Sequence, residues 1–234
     1  MFYGLPKIHK SEIIKNVIKT QNTEIINIKE CSDLNFRPIV AGPTGPTHRL
    51  SDFLDECLKP FIRNITSYLK DTLHFLEILP KTILTQSILC TFDVINLYGS
   101  INHVLAQEAI KFWLQEYPDD LPDRISPNFI IGNLDIVLTE NNFEFNNNHF
   151  TQIKGIVMGT KSAPTIANLV MGYLEIKLYS IIENRFNTDI KKKFKGNFKR
   201  FLDDCFLIWN PDDGNITDLM NMLWITFCSH LHPQ

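Results

Sequence analysis

The stretch FKRFLDDCFLIW, residues 198 to 209, constrains this chain more than any other. Apolar, aromatic-rich runs flank two adjacent acids, Asp203 and Asp204. Such runs read as two buried strands, and an Asp pair between them reads as a tight turn. The pattern predicts a hairpin, and spacing alone allows either a plain turn or a functional site.

The chain has 234 residues, of which 44% are hydrophobic. That is enough for a sizeable core in one large domain or two closely packed subdomains. A net charge of −3 provides no global basic field of the kind many nucleic-acid binders carry. The five cysteines, Cys31, Cys57, Cys90, Cys205 and Cys228, are scattered and contain no C-x-x-C pair. This argues against a disulfide framework or a zinc site and for a reduced, intracellular protein. No stretch approaches roughly eighteen uninterrupted apolar residues, and MFYGLPKIHK lacks the apolar core of a secretory signal. The expectation is a soluble chain with no membrane segment.

Along the sequence, FYGLPKIHK reads as a loop or short extended segment, and NFRPIVAGP as a short strand around Arg37 ended by Gly42 and Pro43. THRLSDFLDECLKPF has apolar residues at helical spacing, with Thr47 as a cap and Pro60 ending or bending the helix. KDTLHFLEIL supplies another short helix, SILCTFDV (87 to 94) a compact strand, and Asn102 caps a helix with Leu105, Ala109, Phe112 and Trp113 on one face. NFIIGNLDIVL predicts a further helix, FEFNNNHFTQ a hairpin, and Thr165 to Arg185 a long helix after the glycine-punctuated loop KGIVMGTKSAP. KKKFKGN reads as a basic loop, either simply solvated or touching a nucleic-acid backbone through Lys191, Lys192, Lys193 and Lys195. Strands and helices are mixed, with hairpins as well as crossovers, so the fold class is α+β.

Asp93 ends one apolar strand much as Asp203 and Asp204 interrupt another. If the strands are neighbours, three carboxylates converge, and like charges about 4 Å apart cost roughly 4 kcal/mol per pair at an effective dielectric near 20. Such a cluster calls for cations, and Mg²⁺ suits it, being commonly held by one or two carboxylates plus substrate phosphates. Two such ions stabilise the attacking and leaving oxygens of an in-line displacement, which makes phosphoryl or nucleotidyl transfer the leading chemistry. The alternative is two unrelated turns.

Five blocks, FYGLPKIHK, RPIVAGPTGPTHRLSDFL, TFDVINLYGSI, KGIVMGTKSAPTIANLVMGYLE and FKRFLDDCFLIW, occur in an order that resembles a reverse transcriptase, most closely that of Penelope-like retroelements. The resemblance implies a right-hand polymerase whose palm has an antiparallel sheet and flanking helices, with residues 1–86 a fingers-like region, 87–210 the palm with an interleaved fingers or helical segment, and 211–234 an incomplete palm remnant or tail. It implies catalytic and metal-binding roles for Asp93, Asp203 and Asp204, with the carbonyl of Val94 assisting. Tyr98, five residues beyond Asp93, matches the aromatic under the incoming sugar that excludes a 2′-hydroxyl; an aromatic packed behind a turn is the other reading. Gly155 and Gly159 match a loop lying against the template base and nucleotide, where a residue without Cβ lets backbone approach closely, though a plain turn uses the same residues. Arg37 matches the fingers arginine on the triphosphate, with Lys7 beside it.

The resemblance further implies an RNA template, a DNA primer, deoxynucleoside triphosphates, two Mg²⁺ ions with Mn²⁺ as substitute, and a nuclear location, with no evident protein partner. Beyond Trp209 the sequence only loosely resembles the family, and His230 and His232 are too few for a metal site. The expectation is a fingers and palm fragment without a thumb, weak or inactive by itself. A non-catalytic nucleic-acid-binding remnant of a palm is the alternative, and an acidic-site phosphohydrolase a third that only the carboxylates support.

Overall fold

A computed structural model describes residues 2–20, 25, 28, 30–40 and 45–231. Gly42, Pro43 and His232, named above as a strand stop and a tail residue, lie outside the described residues. The N-terminal blocks pair as an antiparallel ribbon, β1 (Phe2–Pro6) with β2 (Phe36–Val40), so that Leu5 stands opposite Arg37. Helix α1 (Glu12–Thr20) lies between them, its first turn held by Asp33, whose Oδ2 accepts from the amides of Glu12 and Ile13 at 2.7 and 3.2 Å.

Helix α2 (His48–Leu58) buries Leu54, Cys57 and Leu58 and passes into a 3-10 turn over Lys59–Asn64, where Pro60 sits at the start. Thr47 is itself in a helical conformation and makes no side-chain cap, unlike the reading above. The later caps follow sequence. Asp71 accepts from His74 at the start of α3 (Thr72–Ile78), Asn102 from Leu105 at α5 (His103–Glu116), and Ser126 from Phe129 at α6 (Pro127–Thr139).

The core is organised around α7 (Ala163–Arg185), against which α2, α5, α8 (Thr188–Asn197) and α9 (Ile216–Leu231) pack. By length and composition α7 could cross a membrane, yet 72% of its apolar window is buried within the fold, as befits a core helix. Close approach to its neighbours is sequence-determined: a Cβ at Gly172 would meet Ile65 and Trp113 at 2.8 and 3.0 Å. The Trp113 indole N–H donates to the Leu169 carbonyl at 2.8 Å.

Against this helical layer lies a three-stranded antiparallel sheet in the order β3 (Ile88–Asp93), β7 (Asp204–Trp209), β6 (Phe198–Phe201). Alternate residues Cys205, Leu207 and Trp209 enter the core, whereas Phe206 meets Phe75 of α3 edge-on at 5.0 Å on the other face. A separate hairpin, β4 (Asn142–Phe145) with β5 (Asn148–Thr151), turns at Asn146 and Asn147, both at positive φ (51° and 60°). That turn is the kind in which Asn is favoured.

One segment departs from expectation. KKKFKGN is part of helix α8 (Thr188–Asn197), capped by Asn187, not a loop: Ile190 and Phe194, four apart, are buried beneath the lysines. Lys191 pairs with Glu183 at 2.6 Å and Lys193 with Asp213, so these charges are committed within the fold. Residues 216–231, within the stretch read as a remnant or tail, form α9 (Ile216–Leu231), which buries Leu219, Leu223, Phe227 and Leu231 and packs on α7.

Candidate functional site

The β6–β7 hairpin closes through Leu202 and Asp203, with Phe201 and Asp204 as its last ladder pair. Asp204 therefore begins a strand, and the turn is shifted one residue from the Asp-Asp turn that the sequence suggests. Leu202 sits at φ 53°, a region a bulky residue rarely adopts and that costs on the order of 1–3 kcal/mol. Strain of that size persists only where the surroundings over-determine it. Here the Leu202 carbonyl accepts from Arg200 Nη1 at 3.0 Å, and the Asp203 carbonyl accepts from the Val94 amide at 3.0 Å.

The β3–β7 register places Asp93 directly opposite Asp204. The strand ends thus bring the three acids to one corner of the sheet. Burial holds the Asp203 carboxyl above its ordinary value, and the charges of Asp93 and Asp204 push the same way; its own amide and Arg37 pull back. Among the described residues no group of three or more His, Cys, Asp or Glu side chains is gathered closely enough to hold a metal ion. A closed protein cage is therefore absent there, but carboxylates are hard oxygen donors, and Mg²⁺ commonly needs only one or two of them plus substrate phosphates. The donor set fits that cation chemically.

Two cavities meet at this corner. One, of about 580 Å³, is lined by Lys7, Arg37, Asp93, Tyr98, Met158 and Asp203 among others, a size suited to a small ligand. The other, of about 730 Å³, runs between the sheet and α3 and is lined by Lys70, Phe75, Asp93 and Asp204. Asp93 borders both, while Asp203 and Asp204 face different ones. The ribbon β1–β2 supplies Lys7 and Arg37 from strand ends, and the short helix α4 (Leu97–Ser100) supplies Tyr98. Burial raises the Tyr98 phenol, with the Asp203 charge adding and Arg37 opposing.

Gly155 packs on the segment that carries Tyr98. At φ 82°, it lies where a Cβ would meet Gly99 Cα and the Tyr98 carbonyl, each at 2.8 Å. The close approach is to this chain's own backbone, and the Ile156 amide donates to the Tyr98 carbonyl at 2.7 Å. Gly155 braces the segment carrying Tyr98 without lining the cavity. Gly159, at φ 117°, is exposed and likewise does not line it; Met158 does. The sequence reading missed Met158, Lys10, Asn35 and Asn96 as cavity walls. For Lys10 and Asn35 the signal was nearness in sequence to Lys7 and Arg37.

No family model matches this chain, and no curated protein matches it. Solved structures do. Apo telomerase from Candida tropicalis superposes with a TM-score of 0.59 at 11% identity, covering 98% of this chain and 50% of that one. The fold is similar to that of telomerase. The same enzyme truncated from its C-terminal domain gives 0.55 at 14% identity, over 80% of this chain and 38% of that one. Telomerase from Candida albicans, in complex with a fragment of telomeric RNA, gives 0.51 at 10% identity, over 76% and 32%. This chain spans between about a third and a half of those telomerase chains.

Proposed function

We propose that this chain is the fingers and palm portion of an RNA-directed DNA polymerase, a reverse transcriptase of the Penelope-like type, acting in the nucleus. Residues 1–86 would serve as fingers, 87–210 as palm and 211–234 as the palm's continuation. The observation that carries the reading is that Asp93 and Asp203 line one cavity with Lys7, Arg37 and Tyr98, while the β3–β7 register sets Asp204 opposite Asp93. The telomerase-like fold supports a polymerase of this kind, and the RNA in the Candida albicans complex supports an RNA partner.

The reaction is attack of a DNA primer 3′-hydroxyl on the α-phosphate of a deoxynucleoside triphosphate, templated by RNA, with pyrophosphate leaving. Arg37 offers a planar fork of donors to triphosphate oxygens, and Lys7 adds a point charge. Tyr98 presents its ring beneath the sugar. Asp93 and Asp203, with the Val94 carbonyl, would hold Mg²⁺ or Mn²⁺ at the nucleotide side, and Asp204 faces the second cavity, where the primer end would lie. Bound divalent cations would offset the negative charge of the carboxylates and of the reacting phosphate.

A second reading is a non-catalytic nucleic-acid-binding palm, favoured by the absence among the described residues of a preformed group of three metal ligands. Primer extension on poly(rA)·oligo(dT) with Mg²⁺ or Mn²⁺, comparing this chain with Asp203→Asn, separates them. Synthesis that depends on Asp203 supports the polymerase. RNA binding of equal strength with and without metal, and no metal-dependent binding of dTTP, supports the remnant.

A further inference from the structure

We propose that Arg200 is a positioning residue: its guanidinium, anchored on α7, fixes the strained turn that presents Asp203. This rests on the function proposed above for the Asp203 site. Arg200 lies on β6 and is fully buried. Its Nε donates to Glu175 Oε1 at 2.6 Å, Nη1 to Asn168 Oδ1 at 2.9 Å and to the Leu202 carbonyl at 3.0 Å, and Nη2 to the Asn168 carbonyl at 3.3 Å. Glu175 is itself held, its Oε2 accepting from Ser67 Oγ at 2.6 Å and Tyr179 Oη at 3.2 Å.

Asn168 and Glu175 are seven residues apart on α7 and so share a helical face. Every bond but one ties the guanidinium to that face. The remaining bond is to Leu202, the residue at φ 53°. The peptide preceding Asp203 is thereby pinned from the core, while the Asp203 carbonyl is pinned by the Val94 amide of the segment leaving β3. Rotating the Leu202–Asp203 peptide would swing the Asp203 carboxylate away from Asp93, and Arg200 opposes that rotation.

A merely structural Arg200, neutralising Glu175, would not need the fork. Lysine can pair with Glu175 but cannot also span Asn168 and Leu202. Replacing both charges by apolar residues of similar size commonly leaves such a core folded. The full chain is therefore made as wild type, Arg200→Lys, and the double variant Arg200→Met with Glu175→Leu.

Amide hydrogen exchange is read at Val94, with the amides of Leu207 and Ile208 as internal references. The expected result is exchange at Val94 faster by about tenfold or more in both variants, with the reference amides unchanged. Unchanged protection of Val94 in either folded variant overturns the proposal; if the double variant does not fold, Arg200→Lys decides. Where nucleotidyl transfer is measurable, kcat should fall by about 10- to 100-fold, the usual cost of losing an outer-shell support, with KM for dTTP nearly constant. A wild-type kcat in Arg200→Lys likewise overturns it. The exchange experiment contains neither metal nor nucleotide, so an inactive chain would count against the polymerase reading and leave the result on the turn standing.

Discussion

Asp93 and Asp204 face each other across the β3–β7 ladder, although they come from opposite halves of the chain. Like charges placed directly opposite in a sheet destabilise it, and at this corner burial adds to the charge of both neighbours in raising the Asp203 carboxyl above its ordinary value. A raised folded-state value means that stability is fully present below the ordinary carboxylate value and is lost as the pH rises through the raised one. Asp203→Asn removes that loss. It should raise the melting temperature at pH 7, by an amount that solvent screening at this half-exposed carboxyl keeps small. The gain should vanish below about pH 4. Thermal unfolding of both proteins from pH 3 to 8 checks the sign.

Tyr98 lines the cavity beside Asp93 and Asp203, and its segment is braced from behind by the Gly155 loop. If its ring excludes the 2′-hydroxyl, Tyr98→Ala should lower the preference for dTTP over UTP by about 1–3 kcal/mol, roughly 10- to 200-fold, the worth of a small group in a pocket. Unchanged sugar selectivity in single-nucleotide incorporation would reduce Tyr98 to a packed aromatic.

Gly155→Ala meets both obstacles at once, a φ of 82° and backbone atoms at 2.8 Å. Neither neighbour is the far end of a flexible side chain, so the loop itself must move. The expected cost is about 1–3 kcal/mol, read as a lower midpoint in urea with little change in slope. A midpoint equal to that of wild type would mean that the loop does not dock on Tyr98 and Gly99 in solution.

Next to the β1–β2 ribbon, Asp33 is held at about 2 by the hydrogen bond from Ser11, opposed by burial and helped by the amides of Ile13 and Glu12 and by Cys31. A lowered value contributes stability above the ordinary carboxylate value, and that stability is lost as the pH falls from about 4 towards 2. Asp33→Asn should therefore melt below wild type at pH 7 and approach it in acid. A constant difference across that range would contradict the cap.

What the sequence revealed was what is local. The hairpin around residues 198 to 209, the strand ending at Asp93, the Asn102 cap and the extent of α7 all follow from patterns a few residues long. Helix α8 was hidden because its helical signal is only Ile190 and Phe194 among lysines, a composition that otherwise reads as solvated loop. The turn slipped by one residue because Leu202 accepts a positive φ only with Arg200 holding its carbonyl. That contact depends on Glu175 and Asn168, whose alignment with β6 exists only after α7 packs on the sheet. The same limit hid Gly155, whose neighbours lie far away in sequence. The meeting of Asp93 with Asp204 was readable only as a conditional, since no local pattern sets which strands become neighbours.

If Asp93 and Asp203 form one nucleotidyl-transfer site, as proposed, their losses do not multiply. Single-turnover addition of dTMP to oligo(dT) on poly(rA) with Mn²⁺ tests it in wild type, Asp93→Asn, Asp203→Asn and the double variant. Groups that act as a unit are strongly non-additive, so each single variant should drop to the same residual rate as the double. Losses that multiply, or a wild-type rate in either single variant, would contradict it.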